Sequence, residues 1–135
     1  MVRPGWLTRI LGDRGERAAV RHLKRSGYRI LLRNARTRLG EIDIVALDPA
    51  DGDCIVFVEV KTLSAGAAGD PAEHVTPAKQ RQLTRLGLAW LKQRGLLERR
   101  ARFDVIAVTW TDRRRPVIEH YRHAFEPVGR GQHFS

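Results

Sequence analysis

Between residues 13 and 26 the apolar positions fall at helical spacing: Ala19 and Leu23 lie four apart on one face, Asp13 is placed to cap the start, and Gly27 sits where a C-terminal cap belongs. The period then changes. Tyr28 to Asn34 reads as a strand, and two runs rich in Ile and Val, Glu41 to Leu47 and Ile55 to Leu63, flank the turn-dense segment DPADGD. That arrangement predicts a β-hairpin with a long loop. A small-residue loop, Ser64 to Val75, leads to Thr76-Pro77, a capping residue followed by proline in the first helical turn. Leu83, Leu86, Gly87 and Trp90 mark the buried face of the helix that follows, and Gly95 ends it. Phe103 to Trp110 and Val117 to Tyr121 are two further strands, separated by the basic turn DRRRP. The order is αβββαββ. The second helix is long enough to cross over between parallel neighbours, so an α/β fold with a mixed central sheet flanked by helices is expected.

The chain has 135 residues, no internal repeat and no low-complexity block, which supports one domain over residues 13–126 with short tails at 1–12 and 127–135. An apolar fraction of 42% excludes a disordered chain. No apolar run approaches the ~18 residues of a membrane span, and the first twelve residues lack the apolar segment of a secretion signal, so a cytoplasmic protein without membrane contact is expected. The single cysteine, Cys54, excludes an internal disulfide and zinc sites of the Cys-x-x-Cys type. The five histidines show no metal-ligand spacing.

Charge adds a partner. With 25 Lys and Arg against 15 Asp and Glu, the formal charge is +10, which points to a polyanion and first of all to nucleic acid. The runs Glu98 to Arg102 and Arg113, Arg114 and Arg115 are candidates for backbone-phosphate contacts. Only Lys24, Lys61, Lys79 and Lys92 are lysine among the 25 cations, which draws attention to them as places where a compact ammonium is preferred to a guanidinium.

The chemistry lies in the hairpin. Alternation puts Glu41, Asp43 and Val45 on one face of the first strand, and Ile55, Phe57, Glu59 and Lys61 on one face of the second. If the loop is centred on Asp51, facing residue numbers sum to 102, which sets Asp43 opposite Glu59 and Glu41 opposite Lys61; the other even sums move the partners by two residues and keep all four groups on the same face. Opposed Cβ atoms lie about 4.5–5.5 Å apart, close enough for two carboxylates to hold one cation. Three acids with one lysine carry a local charge of −2, and facing carboxylates raise each other's pKa unless a cation offsets them. Mg2+ or Mn2+ suits such oxygen ligands together with substrate phosphate, and the chemistry suggested is metal-assisted phosphodiester hydrolysis with Lys61 stabilising developing charge. The alternative is a Glu41–Lys61 salt bridge beside two solvated acids. Asp104 is expected to pair with an arginine as a structural group, and the three tryptophans to pack rather than to stack on bases.

The set Gly15-Glu16, Gly27-Tyr28, Arg33-Asn34, Gly40-Glu41-Ile42-Asp43, Phe57-Val58-Glu59-Val60-Lys61-Thr62, Lys79-Gln80 and Arg102-Phe103-Asp104-Val105 resembles the YraN family of small bacterial proteins over Gly15 to Phe125. That family is grouped with the PD-(D/E)XK nucleases and is similar to Holliday-junction resolvases and restriction endonucleases. The resemblance implies a restriction-endonuclease-like αβββαβ core, with Asp43 and Glu59 holding the metal and Lys61 assisting attack. It implies supporting roles for Glu16 on the first helix and for Lys79 and Gln80 on the second, beside Glu41. Position 42 is Ile where the superfamily name promises Pro. The expected function is a metal-dependent nuclease acting on DNA, branched or otherwise processed; junction resolution would require a homodimer. A noncatalytic nucleic-acid-binding adaptor and a protein-interaction module with a basic face are the alternatives.

Overall fold

The computed structural model describes residues 5–64, 75–111 and 115–127, with side chains described from residue 13 onward. Helix α1 (Gly5–Arg25) precedes three strands, β1 (Arg29–Thr37), β2 (Gly40–Asp48) and β3 (Cys54–Ser64), with a 3-10 turn, Pro49–Asp51, in the hairpin loop. Helix α2 (Pro77–Gln93) then leads to β4 (Ala101–Trp110) and β5 (Val117–Tyr121). The sheet order is β1-β2-β3-β4-β5. Strands β3 and β4 run parallel and the other neighbours antiparallel, so the sheet is mixed and α2 is the crossover that the sequence predicts. Most of the loop expected at Ser64 to Val75 lies outside the described residues.

Alternation along the central strands builds one core on each face. Ala18, Ala19 and Leu23 of α1 pack on Ile44, Ala46, Val56, Val58, Ile106 and Val108. On the other face Leu83, Leu86, Trp90 and Leu91 of α2 cover Val45, Ile55, Phe57, Phe103 and Val105. Burial from both sides explains why the middle strands read as nearly unbroken apolar runs. Thr76 caps α2, its hydroxyl accepting from the Lys79 N–H at 3.2 Å. Gly87 lets this helix approach the sheet closely: a Cβ there would meet Phe57 Cε2 at 3.0 Å and Phe103 Cζ at 3.1 Å. Both rings are held by other aromatics, Phe57 edge-on to Trp90 and Phe103 stacked on Phe125. Gly87→Ala is therefore expected to lower stability by about 1–2 kcal/mol despite the better helix propensity of Ala, a loss that a denaturant melt would measure.

Three boundaries differ from the sequence reading by two residues or more. Strand β1 runs on to Thr37, three residues past Asn34. Helix α1 starts at Gly5, eight residues ahead of Asp13. A cap preference is weak where the following and preceding residues can all be helical, and an interior Gly12 costs a helix only about 1 kcal/mol. Strand β4 starts at Ala101 rather than Phe103, which draws Arg102 out of the basic turn and into the sheet. It is 6% exposed and is not a surface phosphate contact. Its Nε and Nη2 donate to the two Asp104 oxygens at 3.0 and 3.2 Å, Nη1 to Asp51 Oδ2 at 2.6 Å, and Nη2 to the Tyr28 hydroxyl at 2.8 Å. Asp48 Oδ2 lies 3.0 Å from Nη2, close enough for an ion pair but without the alignment of a hydrogen bond. Asp104 also accepts from the His123 N–H at 3.0 Å and pairs with His120 Nε2 at 2.8 Å. These bonds hold its carboxyl below the usual range against the burial that would raise it. The arginine partner expected for Asp104 is thus Arg102.

Candidate functional site

The β2–β3 ladder keeps a constant sum of 102 from Asp48 opposite Cys54 to Ile44 opposite Val58, the register that loop symmetry predicts. There it stops. One step further Asp43 and Glu59 are not ladder partners; the Val60 N–H donates instead to Asp43 Oδ2 at 2.8 Å. Strand β3 continues on β4 as far as Ser64 opposite Trp110, while β2 stays with β1, where Glu41 faces Arg36. The two strands part, and the wedge between them receives the carboxylates.

Glu59 is 7% exposed. Its Oε2 is buried without a hydrogen-bond partner among the described residues. Its Oε1 lies 3.8 Å from Lys61 Nζ and 3.9 Å from Lys79 Nζ, ion pairs too long to be hydrogen bonds. Burial and then the Asp43 charge push Glu59 up to about 7, with Lys79 and Lys61 pulling the other way. Asp43 is also raised, by burial first, against the opposing Val60 N–H. Glu16 is pushed up to about 7 by burial and then by the Asp43 charge. Asn34 ties the remaining acids together. With its amide nitrogen facing them, Nδ2 lies 2.9 and 3.2 Å from the Glu16 oxygens and 2.7 Å from Glu41 Oε1. Its φ of +53° is one that asparagine tolerates better than most residues.

This donor set fits a hard divalent ion. A buried carboxylate oxygen with no donor among the described residues and a second carboxylate across the wedge are oxygen ligands of the kind a hard divalent ion takes, and its charge would offset the burial that raises Glu59 and Asp43. No three His, Cys, Asp or Glu side chains form a ready metal cage among the described residues. Asp43 and Glu59 would thus leave the other positions of an ion to water and phosphate, as Mg2+ commonly requires.

Residues 15–108 match the family model described as Uncharacterised protein family UPF0102. The chain belongs to this family. It is the one reached through the YraN resemblance. The chain is 52% identical over 118 residues to the UPF0102 protein of Geobacter sulfurreducens, covering 87% of this chain and 90% of the relative. It is 47% identical over 121 residues to a UPF0102 protein of Rhodopirellula baltica, covering 88% and 72%, and 44% identical over 124 residues to one of Anaeromyxobacter dehalogenans, covering 92% and 90%. The mixed αβ architecture is compatible with a restriction-endonuclease-like fold.

Every acid and lysine of the wedge lies inside the UPF0102 interval. Asp43, Glu59, Lys61, Lys79 and Glu16 converge there. Glu41 stands at the rim, where Arg36 Nε reaches its Oε2 at 3.3 Å. The Glu41–Lys61 salt bridge offered as an alternative is not formed among the described residues, because the strands part and each group pairs on its own side. Gln80 is placed differently from Lys79: its side-chain nitrogen donates to the Val75 carbonyl at 2.9 Å and braces the start of α2. Arg113 and Arg114 lie outside the described residues, and Arg115 is exposed ahead of β5. Sequence reasoning assigned no role to Asn34, although Arg33-Asn34 stands among the motif residues. A polar residue able to adopt positive φ at that point was the available signal.

Proposed function

We propose that this UPF0102 protein is a metal-dependent phosphodiesterase acting on nucleic acid, with DNA as substrate. The observation that carries the reading is the buried Glu59 carboxylate, which has one oxygen without a donor among the described residues, a second acid across the wedge and two lysines just beyond hydrogen-bond reach. The preference for DNA rests on the PD-(D/E)XK resemblance. Asp43 and Glu59 would hold Mg2+ or Mn2+, and the ion when bound supplies Lewis acidity toward phosphate oxygen and lowers the pKa of water. The protein's own groups do the rest. The Val60 N–H fixes the Asp43 carboxylate, and Asn34 holds both Glu16 and the rim residue Glu41 in place. Lys61 and Lys79, whose side chains are about 30% exposed, present ammonium groups to an incoming phosphate and stabilise the charge that develops on it. A branched substrate cut on two strands would need a second copy of the chain.

The test is a panel of branched, flapped, single-stranded and duplex DNA incubated with Mg2+, Mn2+ or EDTA, beside Asp43→Asn. Cleavage that needs the divalent ion and falls at least about a hundredfold in the variant is expected. Full activity in Asp43→Asn, or salt-sensitive binding without cleavage of any substrate, contradicts the reading.

A further inference from the structure

A second charged feature lies on the α1 side of the sheet, at the β5 edge, and the carboxylate wedge does not use it. A cavity of about 340 Å3 opens between Arg21, His22 and Arg25 of α1 and Arg115 and Pro116 ahead of β5. A neighbouring cavity of about 180 Å3 shares Arg21 and Pro116 with it and adds Arg14, Arg17 and Trp110. Two cavities with a common wall make one groove along the helix.

Five arginines line the groove. Arg14, Arg17, Arg21, Arg25 and Arg115 are all exposed, and none is ion-paired with an acid among the described residues. Arg36, Arg100 and Arg102, by contrast, each have a carboxylate partner. Arg17, Arg21 and Arg25 stand four apart, so they share one helix face and rise about 6 Å per step. Like charges at that spacing repel one another, and a bound polyanion would relieve the repulsion. The floor is held firmly. His22 Nε2 lies 3.2 Å from His120 Nδ1, and His120 Nε2 lies 2.8 Å from the buried Asp104 carboxylate. The Arg14 guanidinium rests 4.4 Å from the centre of the Trp110 ring, which orders the near end. At that end Gly15, which stands between Arg14 and Glu16 in the chain, packs against Thr62 of β3, the residue that follows Lys61.

We infer that the groove between α1 and β5 seats the sugar-phosphate backbone of the nucleic-acid strand that the wedge acts upon. Guanidinium forks match phosphate oxygens, and a row of them positions a strand without reading its bases. The inference rests on the nucleic-acid reading above, but it places the backbone contact on α1 rather than on the DRRRP turn alone.

Equilibrium binding of a fluorescent DNA strand, single-stranded and duplex, to the full chain in EDTA tests it without needing cleavage. Arg21→Ala/Arg25→Ala is compared with Arg85→Ala/Lys92→Ala, which removes the same charge from α2 on the opposite face. The groove variant is expected to bind about tenfold more weakly at physiological salt. Its slope of log affinity against log salt should fall by about 0.7 for each phosphate left unneutralised on a single strand and by about 0.9 on duplex. The α2 variant should stay within about twofold of wild type. Equally weakened binding in the two variants, or unchanged binding in the groove variant, overturns the inference even if cleavage is found. A groove-specific weakening in a chain that cleaves nothing leaves the groove standing and removes only the phosphodiesterase reading.

Discussion

Glu59→Gln is expected to abolish cleavage and, at the same time, to raise the melting temperature of the metal-free protein at pH 8. An acid whose folded pKa is pushed up to about 7 from 4.5 favours folding when protonated. That contribution is fully present below the unfolded pKa and is lost as pH rises through the folded one. Metal-free wild type should therefore lose stability between about pH 4.5 and pH 7, and at pH 8 it carries a buried, ionised Glu59 facing Asp43. Glutamine removes that charge. It also gives up the two long ion pairs to Lys61 and Lys79, but these already fail to offset burial, since the net displacement of the pKa is upward. Asp43 and Glu59 titrate as a pair, so the substitution also relieves Asp43. A shift of this size corresponds to a few kcal/mol, or a rise of roughly 5–10 °C in a chain this long. Melts at pH 8 and pH 5 check the sign, because the advantage of the variant should shrink at pH 5, where wild-type Glu59 is protonated. A variant less stable than wild type at pH 8 would mean that the lysine pairs outweigh burial and that the wedge is a structural ion-pair cluster.

Arg102→Ala should have the largest effect on folding. The substitution takes the guanidinium from Asp104, which has no exposed surface and keeps only His120 and the His123 N–H, and from Asp48 at 2% exposure, with Asp51 and the Tyr28 hydroxyl also losing a partner. Removing one member of a buried ion-pair network costs about 3–5 kcal/mol, because the charges left buried lose most of their compensation. A drop of more than about 10 °C in melting temperature is expected, and for a marginally stable domain it leaves little folded protein at 37 °C. The same network sets the acid limit. Asp104 has its pKa depressed in the fold, so its contribution is present above the unfolded value near 3.8 and is lost as pH falls through the folded one. Arg102→Ala should therefore lose part of this acid sensitivity along with its stability. An Arg102→Ala protein that melts within a few degrees of wild type would show that the network contributes little.

What could be read from the sequence follows from how local each feature is. The ladder takes the register expected for a loop centred on Asp51, one of several even sums the sequence allowed, and Thr76-Pro77 announced α2 through capping chemistry confined to one turn. The parting of β2 from β3 was not legible. It depends on β1 holding β2 and β4 holding β3, and only that divergence frees the Val60 N–H for Asp43. For the same reason Asn34 escaped notice as a partner of Glu16 and Glu41, since its role requires β1 and α1 to meet at the wedge. Arg102 read as part of a basic turn because Glu98, Arg99 and Arg100 lead into it, yet a buried acid two positions on draws it inward. The histidines looked unrelated at their sequence spacing; His22 and His120 come together only because β5 closes the sheet edge beside α1.

The acidic wedge as a divalent-metal site can be tested before any substrate is known, by isothermal titration of Mn2+ into wild type and Asp43→Asn at fixed ionic strength and about pH 7.5. Fixed ionic strength separates site binding from general screening of surface charge. The expected result is one saturable site per wild-type chain, proton release as the raised carboxyl groups ionise, and an affinity at least about tenfold weaker in the variant. Equal Mn2+ binding by the two proteins, or none by either, would contradict the account and leave Asp43 and Glu59 as acids held by their neighbouring lysines.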